Sequence, residues 1–496
     1  MGGIASDRLC GLARRARIAG QSAGNLVAAR AVASVARNFA DSSSGRIKEQ
    51  ESPCFGFPSP ALQGYAGPMA LMDEMTELGR RAKAASRELA RLSADEKNRC
   101  LRAMADGLVA AGPRLLEANA LDLEVGKSLG LTGAMMDRLA LSADRIAAMA
   151  QGLREVADLP DAVGRVLDTR ERPNGLRLRK ITTPIGVVVI IYESRPNVTA
   201  DAASLCFKTG NATILRGGKE ALNSNRLIAE TLITSAKSVL PSFPEHAIQV
   251  VPTADREAIP ALLSLTQYVD LCMPRGGEGL IRAVTECSKV PVIKHYKGVC
   301  HVYVHAAADL GMAEDIVFNA KCQRPSTCNS AETVLVDRAV AADFLPSMAT
   351  RLATKSVEFH ADAEALQLLT GAIRGTSSVA RAAEPQDWET EYNNYILNVA
   401  VVDGLDAAIH HIHRHGSGHS EAVVTADSAV ADRFLAEVDS AAVYWNASTR
   451  FTDGGEYGMG AEIGISTDKI GARGPMGLDE LCSYKWQGFG TGQVRA

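Results

Sequence analysis

The run Ile185-Gly-Val-Val-Val-Ile-Ile-Tyr192 decides the fold class of this sequence, because it is apolar almost without interruption. Three further apolar runs follow at residues 212–215, 248–251 and 269–273, and segments with helical spacing separate them. Strands that are apolar on both faces are typical of a parallel sheet covered by helices on either side. This part of the chain therefore predicts an α/β domain of the nucleotide-binding type.

A second series of apolar runs predicts a second sheet. Its strand candidates are residues 299–304, 333–336, 396–402, 422–424 and 442–445. A polar loop interrupts the series after its first strand and reads Asn319-Ala-Lys-Cys-Gln-Arg-Pro-Ser-Thr-Cys328-Asn-Ser-Ala-Glu332.

Cys328 in this loop is a candidate nucleophile. It follows small and polar residues, whereas Cys206 and Cys272 stand inside apolar runs, as structural cysteines do. The alternative is a small buried hydrophobic residue at a loop end, since free cysteine is among the most buried residue types. For the nearby Cys322, a neutral filler role is the preferred interpretation.

Composition limits the function classes. The chain has 496 residues, of which 46% are hydrophobic, so two or three globular domains are expected. A net charge of −4 gives no reason to expect a nucleic-acid partner, and no apolar run is long enough to span a membrane. Ten cysteines without CxxC spacing argue against disulfides and structural zinc, and they favour a reducing compartment. The histidines from His410 to His419 lack HExxH spacing, so a solvated helix end is preferred and no metal is predicted.

Residues 1–66 differ from the rest. Seven arginines lie between Arg8 and Arg46, against the two acids Asp7 and Asp41, in an Ala- and Ser-rich stretch. This composition is typical of an organellar transit peptide. A non-native or poorly ordered leader, with translation starting near Met69, is the alternative, and the sequence does not choose between them. We therefore predict a leader over 1–68 and a cytoplasmic protein, or an organellar one if the leader is a transit peptide.

Helical patterns fill about a hundred residues after Met69. Ser93-Ala-Asp-Glu96 is a capping box that opens one helix, and Gly112-Pro113 is expected to close it. Asn174-Gly175 lies between two possible strands and predicts a protruding hairpin. We expect this hairpin to pair with another subunit.

Long motifs in a fixed order extend from Met69 to the C-terminus. With the Cys328 loop, they include Tyr192-Glu-Ser-Arg-Pro-Asn197, Leu215-Arg-Gly-Gly-Lys219, Pro274-Arg-Gly-Gly-Glu278, Lys294-His-Tyr-Lys-Gly298, Asp387-Trp-Glu-Thr-Glu391 and Arg450-Phe-Thr-Asp-Gly-Gly455. In these motifs the sequence resembles the gamma-glutamyl phosphate reductases (glutamate-5-semialdehyde dehydrogenases), a branch of the aldehyde dehydrogenase superfamily.

The resemblance implies an α/β, aldehyde dehydrogenase-like fold in three parts. A Rossmann-like NADP-binding domain would comprise residues 69–163 and 183–298, and an α/β catalytic domain residues 299–478. A small β oligomerisation arm would comprise residues 164–182 and 479–496. A homo-oligomer, either a dimer or a tetramer, is expected through this arm.

The resemblance also implies roles for single residues. Cys328 would be the nucleophile that forms a thioester, and Asn197 would be the side-chain donor of the oxyanion hole. Glu391 would hold the nicotinamide ribose. Without the resemblance, an asparagine after proline is more often a turn former, and Glu391 a surface carboxylate.

The expected cofactor is NADPH/NADP. Arg216-Gly-Gly-Lys219 follows a short strand and opens a helical segment, where backbone N–H groups meet nucleotide phosphates, although a plain strand-to-helix turn is the alternative. Two basic residues there favour NADP over NAD. The predicted cofactor-binding residues are Arg216, Gly217, Gly218, Lys219, Gly276, Gly277 and Glu391.

The substrate implied by the resemblance is L-glutamyl 5-phosphate, which carries an amino-acid end and a phosphate. Guanidinium groups and glycine-exposed amides match such anions, although buried structural ion pairs are the alternative. The predicted substrate-binding residues are Arg324, Arg450, Thr452, Gly454 and Gly455, with Ser194 and Arg195 second.

The stretch from Lys294 to Cys300 carries no carboxylate. By the resemblance, hydrolytic aldehyde dehydrogenases have their water-activating glutamate there. We therefore expect the reduction of L-glutamyl 5-phosphate to L-glutamate 5-semialdehyde, the second step of proline biosynthesis. A hydrolytic aldehyde dehydrogenase acting on another semialdehyde and a non-catalytic nucleotide-binding relative are the alternatives. The segment before Met69 is too short for a kinase domain, so a separate glutamate kinase, in transient contact at most, is expected.

Overall fold

The computed structural model describes residues 68–495, so the predicted leader lies outside the described residues except for Pro68. Within this range, five helices come first. They are α1 (Pro68–Leu89), α2 (Ala94–Ala110), α3 (Gly112–Ser128), α4 (Gly133–Leu139) and α5 (Ala143–Asp158). Buried side chains such as Met75, Leu101 and Leu153 belong to the same hydrophobic core as the first sheet.

Helix α2 begins with the predicted capping box. The backbone N–H of Ser93 donates to Glu96 Oε2 at 2.8 Å, and the backbone N–H of Glu96 donates to Ser93 Oγ at 3.3 Å. The prediction that Gly112-Pro113 ends this helix is wrong in detail, because α2 ends at Ala110 and Pro113 lies in the first turn of α3. Proline is favoured there because its missing N–H would have no partner within the helix.

The predicted hairpin is confirmed. It consists of β1 (Val166–Glu171) and β2 (Arg177–Pro184), which pair antiparallel. Gly175 in the turn has a φ of +83°, which favours glycine because a side chain would be strained in that conformation.

The first large sheet has four parallel strands in the order β5-β4-β3-β6, as the four apolar runs predict. All residues of the central strand β3 are buried. The loops after the strands open at one edge, where ligands bind in open α/β sheets. The elements are β3 (Val187–Tyr192), α6 (Pro196–Lys208), β4 (Ala212–Arg216), α7 (Leu222–Val239), β5 (Ile248–Val250), α8 (Ala258–Leu263), β6 (Leu271–Arg275) and α9 (Glu278–Cys287).

The second large sheet has seven parallel strands in the order β10-β9-β11-β8-β7-β12-β13. Five strands match the predicted runs, whereas β9 and β10 were missed because they are short and carry polar residues. The elements are β7 (Cys300–Val304), α10 (Leu310–Cys322), β8 (Ala331–Asp337), α11 (Arg338–Ala353), β9 (Glu358–Ala361), α12 (Ala363–Ala372), β10 (Ala380–Ala382), β11 (Ile396–Val402), α13 (Gly404–His415), β12 (Ser420–Val424), α14 (Ser428–Glu437) and β13 (Ala442–Trp445).

Two short strands, β14 (Gly464–Ser466) and β15 (Gly474–Met476), pair antiparallel before β16 (Cys482–Phe489). Strand β16 returns to the hairpin and pairs with β2, which gives a three-stranded arm in the order β1-β2-β16. The two parallel sheets confirm the predicted α/β class, while the domain boundaries and the oligomeric role of the arm stay predictions. Among residues 68–495, no helix combines the length and apolar character needed to cross a bilayer.

Candidate active site

Cys328 lies in the loop between α10 and β8, at the amino end of the second sheet. Cys300, the first residue of β7, donates its Sγ–H to the carbonyl oxygen of Cys328 at 3.2 Å. Gly298 is packed even more closely, because a Cβ atom built on it would lie 1.8 Å from the same oxygen. The backbone of Cys328 therefore keeps its position only if residue 298 has no side chain.

The Cys328 loop is fixed by buried polar contacts. Asn329 Nδ2 donates to the Thr452 carbonyl oxygen at 2.9 Å. Below the loop, Lys321 Nζ and Glu332 Oε2 form an ion pair of 2.7 Å, and both side chains are fully buried. Burial raises the pKa of Glu332 and lowers that of Lys321, so each charge depends on the other for stabilisation.

The Cys328 thiol is protonated at neutral pH. Burial raises its pKa to about 12, and the neighbouring carboxylates of Glu391 and Glu462 contribute in the same direction. Arg275 acts against them by lowering the pKa of the thiol. Attack by sulfur therefore requires a proton acceptor, because the thiolate is the nucleophilic form.

Glu391 is an electrostatic neighbour of the thiol, and the resemblance implies that it holds a cofactor ribose. Burial raises its pKa, while hydrogen bonds from the Gly298 backbone and the Asn393 side chain lower it. The charge of Glu278, at the start of α9, also raises the pKa of Glu391. Through the Gly298 hydrogen bond, Glu391 is linked to the segment that packs against the Cys328 backbone.

Asn197, the predicted oxyanion donor, is the second residue of α6 and is exposed. Its Nδ2 donates to Asp201 Oδ2 at 2.9 Å, so this amide already has an acceptor. Burial raises the pKa of Asp201 to about 6, whereas Asn197 and Arg275 lower it. Arg275 is thus an electrostatic neighbour of both the Asn197–Asp201 pair and Cys328.

A cavity of about 610 Å³ opens where β3, β4 and β6 end. Arg216, Gly218 and Lys219 line it, together with apolar side chains such as Ile259 and Leu280. These three predicted cofactor residues therefore share one cleft that combines basic and apolar walls.

Gly217 is adjacent to this cleft, and a Cβ atom on it would lie 2.2 Å from Asn225 Nδ2. Gly276 and Gly277 precede α9. The Gly277 N–H donates to Glu193 Oε1 at 3.0 Å, and a Cβ atom on Gly276 would lie 2.7 Å from the Glu193 carboxyl carbon. A carboxylate thus occupies the start of α9, where the helix dipole attracts anions.

Ser194 and Arg195 line the same cavity, which differs from their predicted place in the substrate group. Ser194 Oγ donates to a carboxylate oxygen of Glu220. Burial lowers the pKa of Arg195, and the charges of Arg138, Arg275 and Arg324 add to this effect. Arg195 therefore connects the cavity with the arginines near the thiol.

Arg324 and Arg450 lie on the thiol side of the cleft. Arg450 Nε donates to Gln323 Oε1 at 2.7 Å, and its Nη1 donates to Asn329 Oδ1. Burial lowers the pKa of Arg450, the charge of exposed Arg324 lowers it further, and Cys328 raises it. These two predicted substrate residues are therefore brought together near Cys328.

The other predicted substrate residues already have protein partners. The hydroxyl of fully buried Thr452 accepts a hydrogen bond from Ser420 Oγ at 2.6 Å. The Gly454 N–H donates to Glu462 Oε2 at 2.8 Å. The Gly455 N–H donates to Asp453 Oδ1 at 2.9 Å, so carboxylates occupy both amides predicted for an anion.

Sequence reasoning missed Arg275 and Glu462 as site residues. Arg275 lies inside the quoted Pro274-Arg-Gly-Gly motif, so a search of the motif for free cations would have found it. Glu462 lies in another motif of the resemblance, Gly460-Ala-Glu-Ile-Gly464, but nothing in that run indicates that it acts on Cys328.

The histidine segment is divided between surface and interior. His410 and His413 are exposed, as the solvated interpretation predicts, but His419 is fully buried beside Cys300, with 3.8 Å between its Nδ1 and Sγ. Burial lowers the pKa of His419 to about 3, so it is neutral. Within residues 68–495, no cluster of three or more His, Cys, Asp or Glu suits a metal ion.

The model of the aldehyde dehydrogenase family matches residues 63–384, which agrees with the fold described above. The gamma-glutamyl phosphate reductase of Syntrophomonas wolfei is 52% identical over 86% of this chain and 99% of its own. That of Opitutus terrae is 53% identical over 85% and 98%. The crystal structure of the Thermotoga maritima gamma-glutamyl phosphate reductase has a TM-score of 0.82 and 40% identity, covering 86% of this chain and all of that one. The chain therefore belongs to the gamma-glutamyl phosphate reductases, and it is an oxidoreductase with the predicted aldehyde dehydrogenase-like fold.

Proposed function

We propose that this protein catalyses the NADPH-dependent reduction of L-glutamyl 5-phosphate to L-glutamate 5-semialdehyde and phosphate, through a thioester on Cys328. This is the second step of proline biosynthesis from glutamate. The family membership supports the reaction, and one observation carries the mechanism. The Cys328 thiol has the cations Arg275 and Arg450 as electrostatic neighbours, and Gly298 packs against its backbone.

The residues of the cavity fit a dinucleotide. Two buried nitrogen atoms have no hydrogen-bond partner among the described residues: Arg216 Nε at the end of β4 and Asn225 Nδ2 near the start of α7. Arg216 and Lys219 would hold the phosphate that distinguishes NADP from NAD, and Gly276 and Gly277 would meet the bridging phosphates once the Glu193 carboxylate is displaced from the Gly277 N–H. Glu391 would hold the nicotinamide ribose.

The chemistry follows from the thiol. Cys328 Sγ attacks the carbonyl carbon of the acyl phosphate, the carbon–oxygen bond to phosphate breaks, and the phosphate leaves with the bonding electrons and the thiol proton. A bound reduced nicotinamide supplies a hydride to the thioester carbon. The alkoxide that hydride transfer leaves takes up one proton from solvent, and collapse of this thiohemiacetal breaks the carbon–sulfur bond, returns the hydroxyl proton to sulfur and releases the aldehyde.

The test is a coupled assay with glutamate kinase, ATP, glutamate and NADPH. We expect NADPH consumption that requires every component and is abolished in Cys328→Ser, with NADPH binding retained in that variant. Cys322→Ser, six residues earlier, is the matched control and is expected to keep its activity. Formation of ADP by the kinase without any NADPH consumption would contradict the proposal.

A second candidate is hydrolytic oxidation of a semialdehyde. It is favoured by the carboxylates of Glu391 and Glu462 beside the thiol, since a carboxylate can activate water. Against it, each carboxylate already accepts a hydrogen bond from a backbone N–H group. Glu462 accepts from Gly454, and Glu391 accepts from Gly298. Oxidation of glutamate 5-semialdehyde by NADP⁺ at full rate without phosphate would establish this alternative.

A further inference from the structure

The start of helix α9 holds a carboxylate of the chain itself. Glu193 follows β3 and lines the cavity, and its Oε1 accepts the Gly277 N–H at 3.0 Å. Gly276 leaves room for this contact, because a Cβ atom on it would lie 2.7 Å from the same oxygen. The first N–H groups of a helix have no partner within it, and the helix dipole favours a negative group beside them. Glu193 therefore occupies the position that an anionic ligand of α9 would take.

The backbone of Glu193 is held in place, whereas its side chain can move. The Glu193 N–H donates to the Arg275 carbonyl oxygen at 3.3 Å, and the Glu193 carbonyl oxygen accepts the Arg195 N–H at 2.6 Å. These bonds fix residue 193 between the end of β6 and the start of α6. Because Glu193 is exposed, its carboxylate can rotate away from Gly277 into solvent without breaking either bond.

The surrounding cavity suits a larger anion than this carboxylate. Asn225 is 1% exposed, and its Nδ2 has no hydrogen-bond partner among residues 68–495, which is also true of Arg216 Nε. Basic side chains outnumber acidic ones on the cavity wall, and a ligand with several phosphates matches that balance. The lining residues with charge are Arg138, Arg195, Arg216, Lys219 and Arg256 against Glu193 and Glu220.

We propose that Glu193 competes with the bridging diphosphate of a nicotinamide dinucleotide for the Gly277 N–H, and thereby lowers the affinity of the cleft for its cofactor. This inference rests on the proposed function, which assigns a dinucleotide to the cavity. Two anions at one helix start repel each other, so the diphosphate must displace the carboxylate. The free energy of the Glu193–Gly277 contact is then subtracted from that of cofactor binding. Because the contact re-forms as the oxidised cofactor leaves, it favours exchange for a reduced one.

The test measures binding to the full chain by calorimetry with two probes. One is 2′-phospho-ADP-ribose, which is NADP without the nicotinamide, and the other is adenosine 2′-monophosphate, which lacks the diphosphate. For Glu193→Gln we expect the Kd of the first probe to fall about two- to fivefold, the usual stabilisation of an exposed anion at a helix start. The Kd of the second probe should not change. Asp427→Asn, which removes a carboxylate at the start of α14, is the matched control and should leave both values unchanged.

Glu193→Asp separates the contact from the charge. The aspartate keeps the negative charge but is shorter by one methylene group, so it loses its reach to Gly277. We expect this variant also to bind 2′-phospho-ADP-ribose more tightly than wild type.

Each opposite result has a definite meaning. An unchanged or higher Kd of 2′-phospho-ADP-ribose in Glu193→Gln overturns the inference. Equal tightening of both probes, or a Glu193→Asp chain that binds like wild type, would reveal general charge repulsion instead of competition for one N–H and also overturns it. A wild-type chain that binds neither 2′-phospho-ADP-ribose nor NADPH contradicts the proposed function itself, so the two failures are distinguishable.

Discussion

Gly298→Ala tests the packing of the catalytic loop most directly. The added Cβ atom would lie 1.8 Å from the Cys328 carbonyl oxygen, and real Cβ contacts are essentially never shorter than 3.0 Å. The two backbone segments must therefore separate by at least 1.2 Å. A misplacement of about 1 Å at reacting groups costs about 100-fold in rate, so we expect kcat to fall by about that factor.

The assay is NADPH oxidation with kinase-generated acyl phosphate, together with the melting temperature of each variant. Gly371→Ala is the matched control, because a Cβ atom there in α12 meets nothing within 4 Å. We expect this control to keep wild-type kcat. A Gly298→Ala enzyme with kcat within threefold of wild type would refute the reasoning that Gly298 positions the nucleophile.

Four further predictions concern the thiol, a carboxylate that acts on it, a buried charge and a helix cap. The alkylation rate of Cys328 by iodoacetamide should rise about tenfold per pH unit from pH 7 to 10 without a plateau, because its pKa is raised to about 12. Glu462→Gln should speed alkylation, since it removes a charge that disfavours the thiolate, and mass spectrometry of the Cys328 peptide would reveal an opposite effect. Lys321→Met should lower the free energy of unfolding by about 3–5 kcal/mol in urea, because the Glu332 carboxyl group loses its buried partner. Burial raises the pKa of Glu332 to about 8 even with Lys321 present, and removing the ammonium group raises it further, so the deficit should be nearly constant from pH 5 to 7 and grow as the pH rises above 8; a deficit that does not grow there would count against it. Ser93→Ala should cost about 1 kcal/mol in the same urea titration, and no change would mean that the capping box contributes nothing.

The sequence predicts those parts of the fold that depend on local patterns. Continuous apolar runs revealed nine strands of the two parallel sheets, because most residues of these strands are buried, although β13 at the sheet edge is partly exposed. Strands β9 and β10 escaped, since they are held in place by neighbouring strands rather than by their own composition. The hairpin at Gly175 was found because a positive φ at that turn requires a particular residue type.

The site is less accessible to sequence reasoning, because it depends on which loops meet. Cys328, Arg324 and Arg450 were predicted together, and the structure brings them together. Ser194 was predicted in the same group; it lines the cavity beside Arg216 and donates to Glu220, and its role in substrate binding stays a prediction. Local motifs carry residue types but not distances between segments, so Glu462 beside the thiol was not foreseeable.

The return of β16 to the hairpin has a consequence for biosynthesis. Strand β2 is the middle strand of the arm, and most of the chain is translated between it and β16. A nascent chain therefore exposes one side of β2, with unsatisfied backbone groups, until synthesis is nearly finished. Chains that terminate early keep this open edge, and edges of this kind promote aggregation. The order of the strands therefore delays completion of the arm until the last residues have been synthesised.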